Sequence, residues 1–237
     1  MNSPYGLQVV DNCEKCPLRK PGHFCCLASD ALREMNACSH SSSYPQRAVL
    51  TTEGQQARGV FIVCQGRLKL SSMSKDGKSV ILRIVRAGEV IGLSAVISNR
   101  AYESSAETLV PTQVRFIAAP DILRIVRKYP EAAIHVAQSL SRECVSAYNE
   151  IRSLALAPTC ASKLATLLLS WCTPANMKGG EFRINSEFTQ EEIAEMIGTS
   201  RETVTRLFTQ FKNKRLIESR GPGLCIKDLQ ALEAIAI

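Results

Sequence analysis

The sequence predicts an α+β fold: a β domain, then one long helix, then a small helical domain closed by a short hairpin. Three observations predict it. Glycines at 54, 59, 66, 77, 88 and 92 punctuate short runs rich in β-branched residues. Apolar residues after Pro130 recur at threes and fours for about five turns. Near the C-terminus two short amphipathic segments flank Gly198.

The elements follow in order. Residues 1–44 form a cysteine-rich arm of weak periodicity that ends in the polar run Ser39-His40-Ser41-Ser42-Ser43. Residues 45–118 hold strand-like segments such as Gly59–Val63, Arg67–Leu70 and Ser79–Val85. Lys75-Asp76-Gly77-Lys78 is a hairpin signal, because Asp-Gly supplies the positive φ of a tight turn. Many short strands with glycine turns predict a sandwich or barrel. Residues 119–157 read as a short helix and then a long one. Ala133, Ala137, Leu140, Cys144, Ala147, Ile151 and Leu154 form an apolar stripe, which fits packing on its own domain or a coiled coil between two subunits. Pro158 ends that helix. Residues 159–237 make the last domain.

The chain has 237 residues and a formal net charge of +7. From Thr199 to Lys227 seven bases face only two acids, so much of the excess lies in one short stretch suited to a polyanion. No apolar run reaches the roughly 20 residues of a membrane helix, and the first residues lack a basic-then-apolar signal. No membrane association and a cytoplasmic location are expected. Residues 45–118 contain no histidine, which argues against a metal-dependent β-barrel enzyme. An effector-binding module without DNA activity is the other class considered.

Phe188 to Phe211 is the informative segment. Thr189 and Glu192 have capping-box spacing, Gly198 can close a helix in the left-handed conformation, and Ser200 is the next N-cap. Val204, Leu207, Phe208 and Phe211 fall at i, i+3, i+4 and i+7 and face a core. Arg201, Glu202, Thr205, Arg206 and Thr209 fall on the other side, where arginine can bond guanine and glutamate can accept from cytosine. This is the plan of a helix-turn-helix. Arg215–Glu218 and Leu224–Ile226 can pair around Gly221-Pro222-Gly223 as a wing, with Lys214 and Arg220 placed for phosphates.

Arg201-Glu202-Thr203-Val204-Thr205-Arg206 resembles the recognition-helix signature of the CRP/FNR family of bacterial transcriptional regulators. The order of elements is similar over about residues 45–237. The resemblance implies a cupin-like, cyclic-nucleotide-binding-like β-roll at 45–118, a dimerisation helix at 119–157 and a winged helix-turn-helix at 158–237. It further implies a homodimer on a palindromic site in double-stranded DNA, contact with RNA polymerase, no enzyme activity, and base reading by Arg201, Glu202 and Arg206. The expected half-site is similar to TGTGA or TTGA.

Family members that bind cyclic AMP carry an Arg-Ser pair soon after a Gly-Glu-Leu turn. Here Gly88-Glu89-Val90 is followed by Tyr102-Glu103-Ser104-Ser105, with Glu103 ill suited to a phosphate, so no cyclic nucleotide is expected. Five of the ten cysteines lie between Cys13 and Cys38. Cys13-x-x-Cys16 followed by Cys25-Cys26 resembles the arm of FNR-type oxygen sensors. That implies an iron–sulfur cluster, with 4Fe–4S among the types it could be, and a cluster usually takes four thiolates. The family's fourth cysteine comes from the β domain, at a place that Thr112 occupies here. Cys38 is the leading substitute, then the second member of the Cys25-Cys26 pair, then Cys64. Zinc on the same thiolates and a thiol–disulfide switch remain alternatives.

Overall fold

The computed structural model describes residues 4–178, 181–184, 188–221 and 223–236. The chain divides into two compact units: residues 1–72 with 82–146, and residues 73–81 with 147–237.

In the first unit a helix, α1 (Ser29–Cys38), runs directly into β1 (Ser39–Tyr44). Then come β2 (Val49–Thr51), β3 (Gly59–Gln65), β4 (Arg67–Met73), β5 (Ser79–Arg86), β6 (Val90–Ile91), the short α2 (Leu93–Ser98), β7 (Ser105–Thr108) and β8 (Thr112–Ala118). They form two four-stranded sheets, in the orders β1-β8-β3-β6 and β2-β7-β4-β5. The inward side chains Val63, Leu68, Val85, Ile91, Ala106 and Val114 form one core. This is the β-roll predicted for the region. The Asp-Gly hairpin is present too: Gly77 carries the positive φ (+82°), and Ser74 and Lys78 close the turn.

The arm differs from the sequence reading in two ways. The serine run is a strand, paired with β8 from Ser39↔Ile117 to Tyr44↔Thr112. The roll therefore begins at residue 39, not 45. The residues before it are not a loose tail either. Phe24, Leu27, Ala31, Leu32 and Met35 share a second buried cluster with Val60, Ile62, Val90 and Ile117. The same cluster takes in Ile122 and Ile125 of α3 (Ala119–Lys128) and Ala132 and Val136 of α4 (Pro130–Leu156).

The predicted long helix is α4. Its buried face starts with Ala132, Val136 and Ser139, one residue off the predicted stripe. Of that stripe, Ala133 and Leu140 are half-buried, while Ala137, Cys144, Ala147 and Ile151 are exposed. The Leu154 side chain lies outside the described residues. Ile134, Val145 and Tyr148 are exposed as well.

The second unit contains α5 (Cys160–Ser170), β9 (Met177–Lys178), β10 (Glu181–Ile184), α6 (Gln190–Ile197), α7 (Arg201–Asn213), β11 (Ile217–Arg220), β12 (Gly223–Ile226) and α8 (Leu229–Ala236). Its sheet has the order β11-β12-β10-β9, two strands more than the single hairpin expected. Leu164, Leu168, Ile193, Val204, Phe208, Phe211, Ile217 and Leu232 fill its core. No described helix is long and apolar enough to cross a membrane.

Candidate functional site

Two sites emerge, one in each unit. In the second, α6 and α7 follow the local rules of the sequence closely. Thr189 caps α6, and its hydroxyl accepts from the Glu192 backbone N–H at 3.2 Å while Glu192 Oε2 accepts from Thr189 N–H at 2.7 Å. Two orphan donors of the first turn are thereby satisfied. Gly198 ends α6 at φ 65°, ψ 44°. Ser200 caps α7, accepting from Thr203 N–H at 3.3 Å.

Val204, Leu207, Phe208 and Phe211 are buried, which fixes the roll of α7 about its axis. Arg201, Glu202, Thr205, Arg206 and Thr209 are exposed on the opposite face, and the first four of these line one open depression. The Glu202 carboxylate is held below its usual pKa by the backbone N–H at the helix start, then by Ser200, so it stays an acceptor. Gln190, which the sequence reading passed over, lies within hydrogen-bond reach of Thr205 across the two helices. It ties the exposed side of α7 to α6.

The wing is β11 with β12, in register from Ile217↔Ile226 to Arg220↔Gly223. Its turn residue Pro222 lies outside the described residues. Lys214 is exposed, as a phosphate contact requires. Arg220 is not a bare cation: it pairs with Glu181 at 3.3 Å and Glu218 at 3.4 Å. Lys227 joins the same two carboxylates at 2.6 and 2.9 Å.

The second site lies between the arm and the roll. Cys13, Cys16, Cys25 and Cys64 line one cavity, together with Arg19, His23, Met35, Ile62, Gly88 and Arg115 among others. Three thiols come from the arm and the fourth from β3. Local hydrogen bonds set this geometry. Cys13 N–H donates to Asn36 Oδ1 of α1 at 2.9 Å. Phe24 N–H donates to Gly88 O at 2.8 Å, fastening the segment before Cys25 to the roll. Gly88 sits at φ +90°, and a Cβ there would meet the His23 ring at 2.2 Å, so only glycine admits this approach. Gln113 Nε2 donates to Val10 O at 2.9 Å while its Oε1 accepts from Val10 N–H at 3.1 Å, clasping the chain just before Cys13.

Burial raises the Cys25 thiol to about 11, helped by its neighbours Cys13 and Cys16. Burial raises Cys64 to about 12, with Cys13 adding and Arg115 opposing. Cys13 is raised by burial against the pull of Arg115. Cys25 and Cys64 thus feel the neighbouring thiols, although among the described residues no three His, Cys, Asp or Glu side chains converge closely enough to hold a single metal ion.

The other cysteines named from sequence lie elsewhere. Cys26 is exposed, because adjacent side chains diverge and Cys25 takes the inward position. Cys38 ends α1, donating to Met35 O at 3.6 Å in the electrostatic reach of Asp121 and Arg124 rather than of the other thiols. Thr112 does not reach the cavity. Its hydroxyl closes the turn between β3 and β4 through Arg67 and Val110. The residue of β8 that does line the cavity is Arg115.

With both geometries in hand, comparison with known proteins is informative. Residues 162–235 match the model of the Crp-like helix-turn-helix domain, and residues 41–129 match that of the cyclic nucleotide-binding domain. The chain belongs to the CRP/FNR family. It is 25% identical over 217 residues to a CRP-like cAMP-activated global transcriptional regulator of Mycobacterium tuberculosis, covering 91% of this chain and 96% of that one. It is 25% identical over 182 residues to the global nitrogen regulator of a Synechocystis strain, covering 76% and 80%. A solved structure of a CooA mutant from Carboxydothermus hydrogenoformans shares the fold, with a TM-score of 0.74, 23% identity and coverage of 88% and 91%. This CRP/FNR chain is accordingly a DNA-binding transcriptional regulator, and α7 lies within the part that matches the helix-turn-helix model.

Proposed function

We propose that this regulator senses oxygen or redox state through an iron–sulfur cluster held by Cys13, Cys16, Cys25 and Cys64, and binds a palindromic DNA site as a homodimer. The observation that carries the reading is one cavity lined by four thiols, three from the arm and one from β3. Four thiolates are the usual complement of a cluster, which supplies a centre whose integrity depends on oxidants. Cys64 therefore replaces Cys38 as the fourth ligand.

The arm is wired to the long helix. His135 Nδ1 of α4 meets Phe24 O at 3.1 Å, and Glu131 Oε1 accepts from Ala28 N–H at 3.0 Å. These two contacts bracket Cys25 and Cys26 and land on the first two turns of α4. A change in how Cys25 is held shifts those turns. Farther along, the exposed Val145, Tyr148 and Ile151 offer an apolar face for a second copy. Repacking there sets whether two α7 helices stand about one DNA turn apart, roughly 34 Å. Binding-competent and incompetent populations shift accordingly. Contact with RNA polymerase follows from the family likeness.

A cyclic nucleotide, which the names of some relatives mention, fits this chain poorly. Glu89 is occupied by Arg86 N–H at 2.6 Å and by Arg83 at 3.1 Å, and Arg83 pairs onward with Glu143 at 3.2 Å. Glu143 is raised by burial, with Glu103 and Glu89 adding to the acidic surroundings. A phosphate would meet carboxylates there.

The test is an absorption spectrum of protein purified without air, with iron, zinc and sulfide assayed on the same sample, for wild type, C64S and C38S. The reading requires iron and sulfide with a broad visible band near roughly 400 nm, lost in C64S and kept in C38S. Zinc in place of iron and sulfide, or a metal-free wild type, would overturn it.

A further inference from the structure

Arg115 is only 2% exposed, yet among the described residues no carboxylate pairs with it. Its described hydrogen bonds all go to neutral oxygens: Nη1 to Ser39 Oγ at 2.8 Å, and Nη2 to Asp11 O and to Val10 O. Its Nε, fully buried, has no partner at all among the described residues. A buried charge is normally paired or bound to something of opposite sign, because the desolvation cost is otherwise uncompensated. Among the described residues that line the cavity with Arg115, the groups able to become anions are the thiols of Cys13, Cys16, Cys25 and Cys64. Four thiolates around a cluster or a metal ion leave a net negative charge.

We propose that Arg115 is the buried counter-cation of the four-thiolate site, a positioning residue that stabilises the loaded state and is an uncompensated charge in the empty one. The proposal rests on the four-thiol reading above. On β8, Arg115 takes the cavity-facing position. Its guanidinium stands at the cavity wall while the fourth thiol comes from β3, the strand paired with it: Arg115 lies opposite Ile62, two residues from Cys64.

A merely structural clasp makes a different prediction. If Arg115 served only to hold the Val10–Asp11 backbone against the sheet, removing it would loosen the arm whether or not the site is loaded. The counter-cation instead makes the two states respond with opposite sign. Val10 O keeps its bond from Gln113, and residue 11 is exposed to water, so little hydrogen bonding is lost in the empty state.

The experiment compares wild type, R115M and R115K, each both metal-free and reconstituted anaerobically with iron and sulfide. Methionine keeps length without charge. Lysine keeps charge without the fork. Metal-free R115M should melt at or above the wild type, whereas reconstituted R115M should lose iron to a chelator about 10–100-fold faster, the usual effect of removing a group that supports a metal site. R115K should retain iron nearly as long as wild type. R115M melting lower in the metal-free state, R115M holding iron as long as wild type, or R115K failing as badly as R115M would each overturn the proposal. A wild type that takes up neither iron and sulfide nor zinc would instead remove the thiolate site on which it rests. A wild type that takes up zinc alone would overturn the cluster, and the same chelator comparison would still decide Arg115.

Discussion

Phe24→Ala measures how far the arm belongs to the fold. Phe24 is 1% exposed and packs in the cluster that joins α1, the outer side of β3 and β8, α3 and the start of α4. Its backbone N–H and C=O are both used, by Gly88 and His135. Truncating a buried phenylalanine costs about 3–5 kcal/mol, from lost transfer energy and the cavity left behind. For a chain of this size 1 kcal/mol moves the melting temperature by about 2–4 °C, so the first unit should melt roughly 6–20 °C lower. The assay is thermal unfolding of metal-free protein followed by circular dichroism. The metal-free form matters, since a bound cofactor would add its own stabilisation. A shift of no more than about 1–2 °C, as surface substitutions give, would mean that the arm is an appendage and would refute the packing argument.

Further outcomes follow from charges and contacts. Arg206→Ala should cost about 1–3 kcal/mol in discrimination between specific and random DNA, while Lys214→Ala weakens both and reduces the salt slope by about one. Arg220→Ala should change that slope less than Lys214→Ala, because Glu181 and Glu218 already offset its charge; titrations at several salt concentrations compare them. Glu34 accepts from Lys128 at 2.6 Å, Tyr129 at 2.9 Å and Arg124 at 3.1 Å, and these hold its carboxyl down to about 2 from an ordinary 4.5. A depressed folded pKa means that its stabilisation is fully present above 4.5 and is lost as pH falls through about 2. E34Q should flatten the acid side of a stability–pH curve in that window, and an unchanged curve would show that the three partners contribute nothing.

The DNA-reading half was legible from sequence because its determinants are local. Caps at Thr189 and Ser200, the glycine at 198 and the spacing of Val204, Leu207, Phe208 and Phe211 each act within a turn or two, and all recur in the structure. The long helix was legible in extent but not in its buried face. A run of alanines at threes and fours allows two adjacent faces, and burial selected Ala132, Val136 and Ser139. The arm was the least legible part. Ser39–Ser43 carry no apolar alternation, and they form a strand because β8 is there to pair with them. Cys64 stood third among the candidates because its place beside Cys13 is made by contacts distant in sequence, with Asn36 and Gln113 holding the arm against the roll. Arg115 was missed altogether. The available signal was a lone charge inside the apolar run Val114–Ala118, where alternation alone does not tell a solvent-facing residue from a buried one.

Control of DNA binding by the thiol site is tested most directly by the Kd for one palindromic duplex at fixed salt, with anaerobically reconstituted and metal-free protein compared side by side. The reconstituted form should bind more tightly, by about 5–150-fold, the range of ordinary allosteric coupling. Equal affinities, with the reconstituted sample verified to hold iron and sulfide, would contradict it.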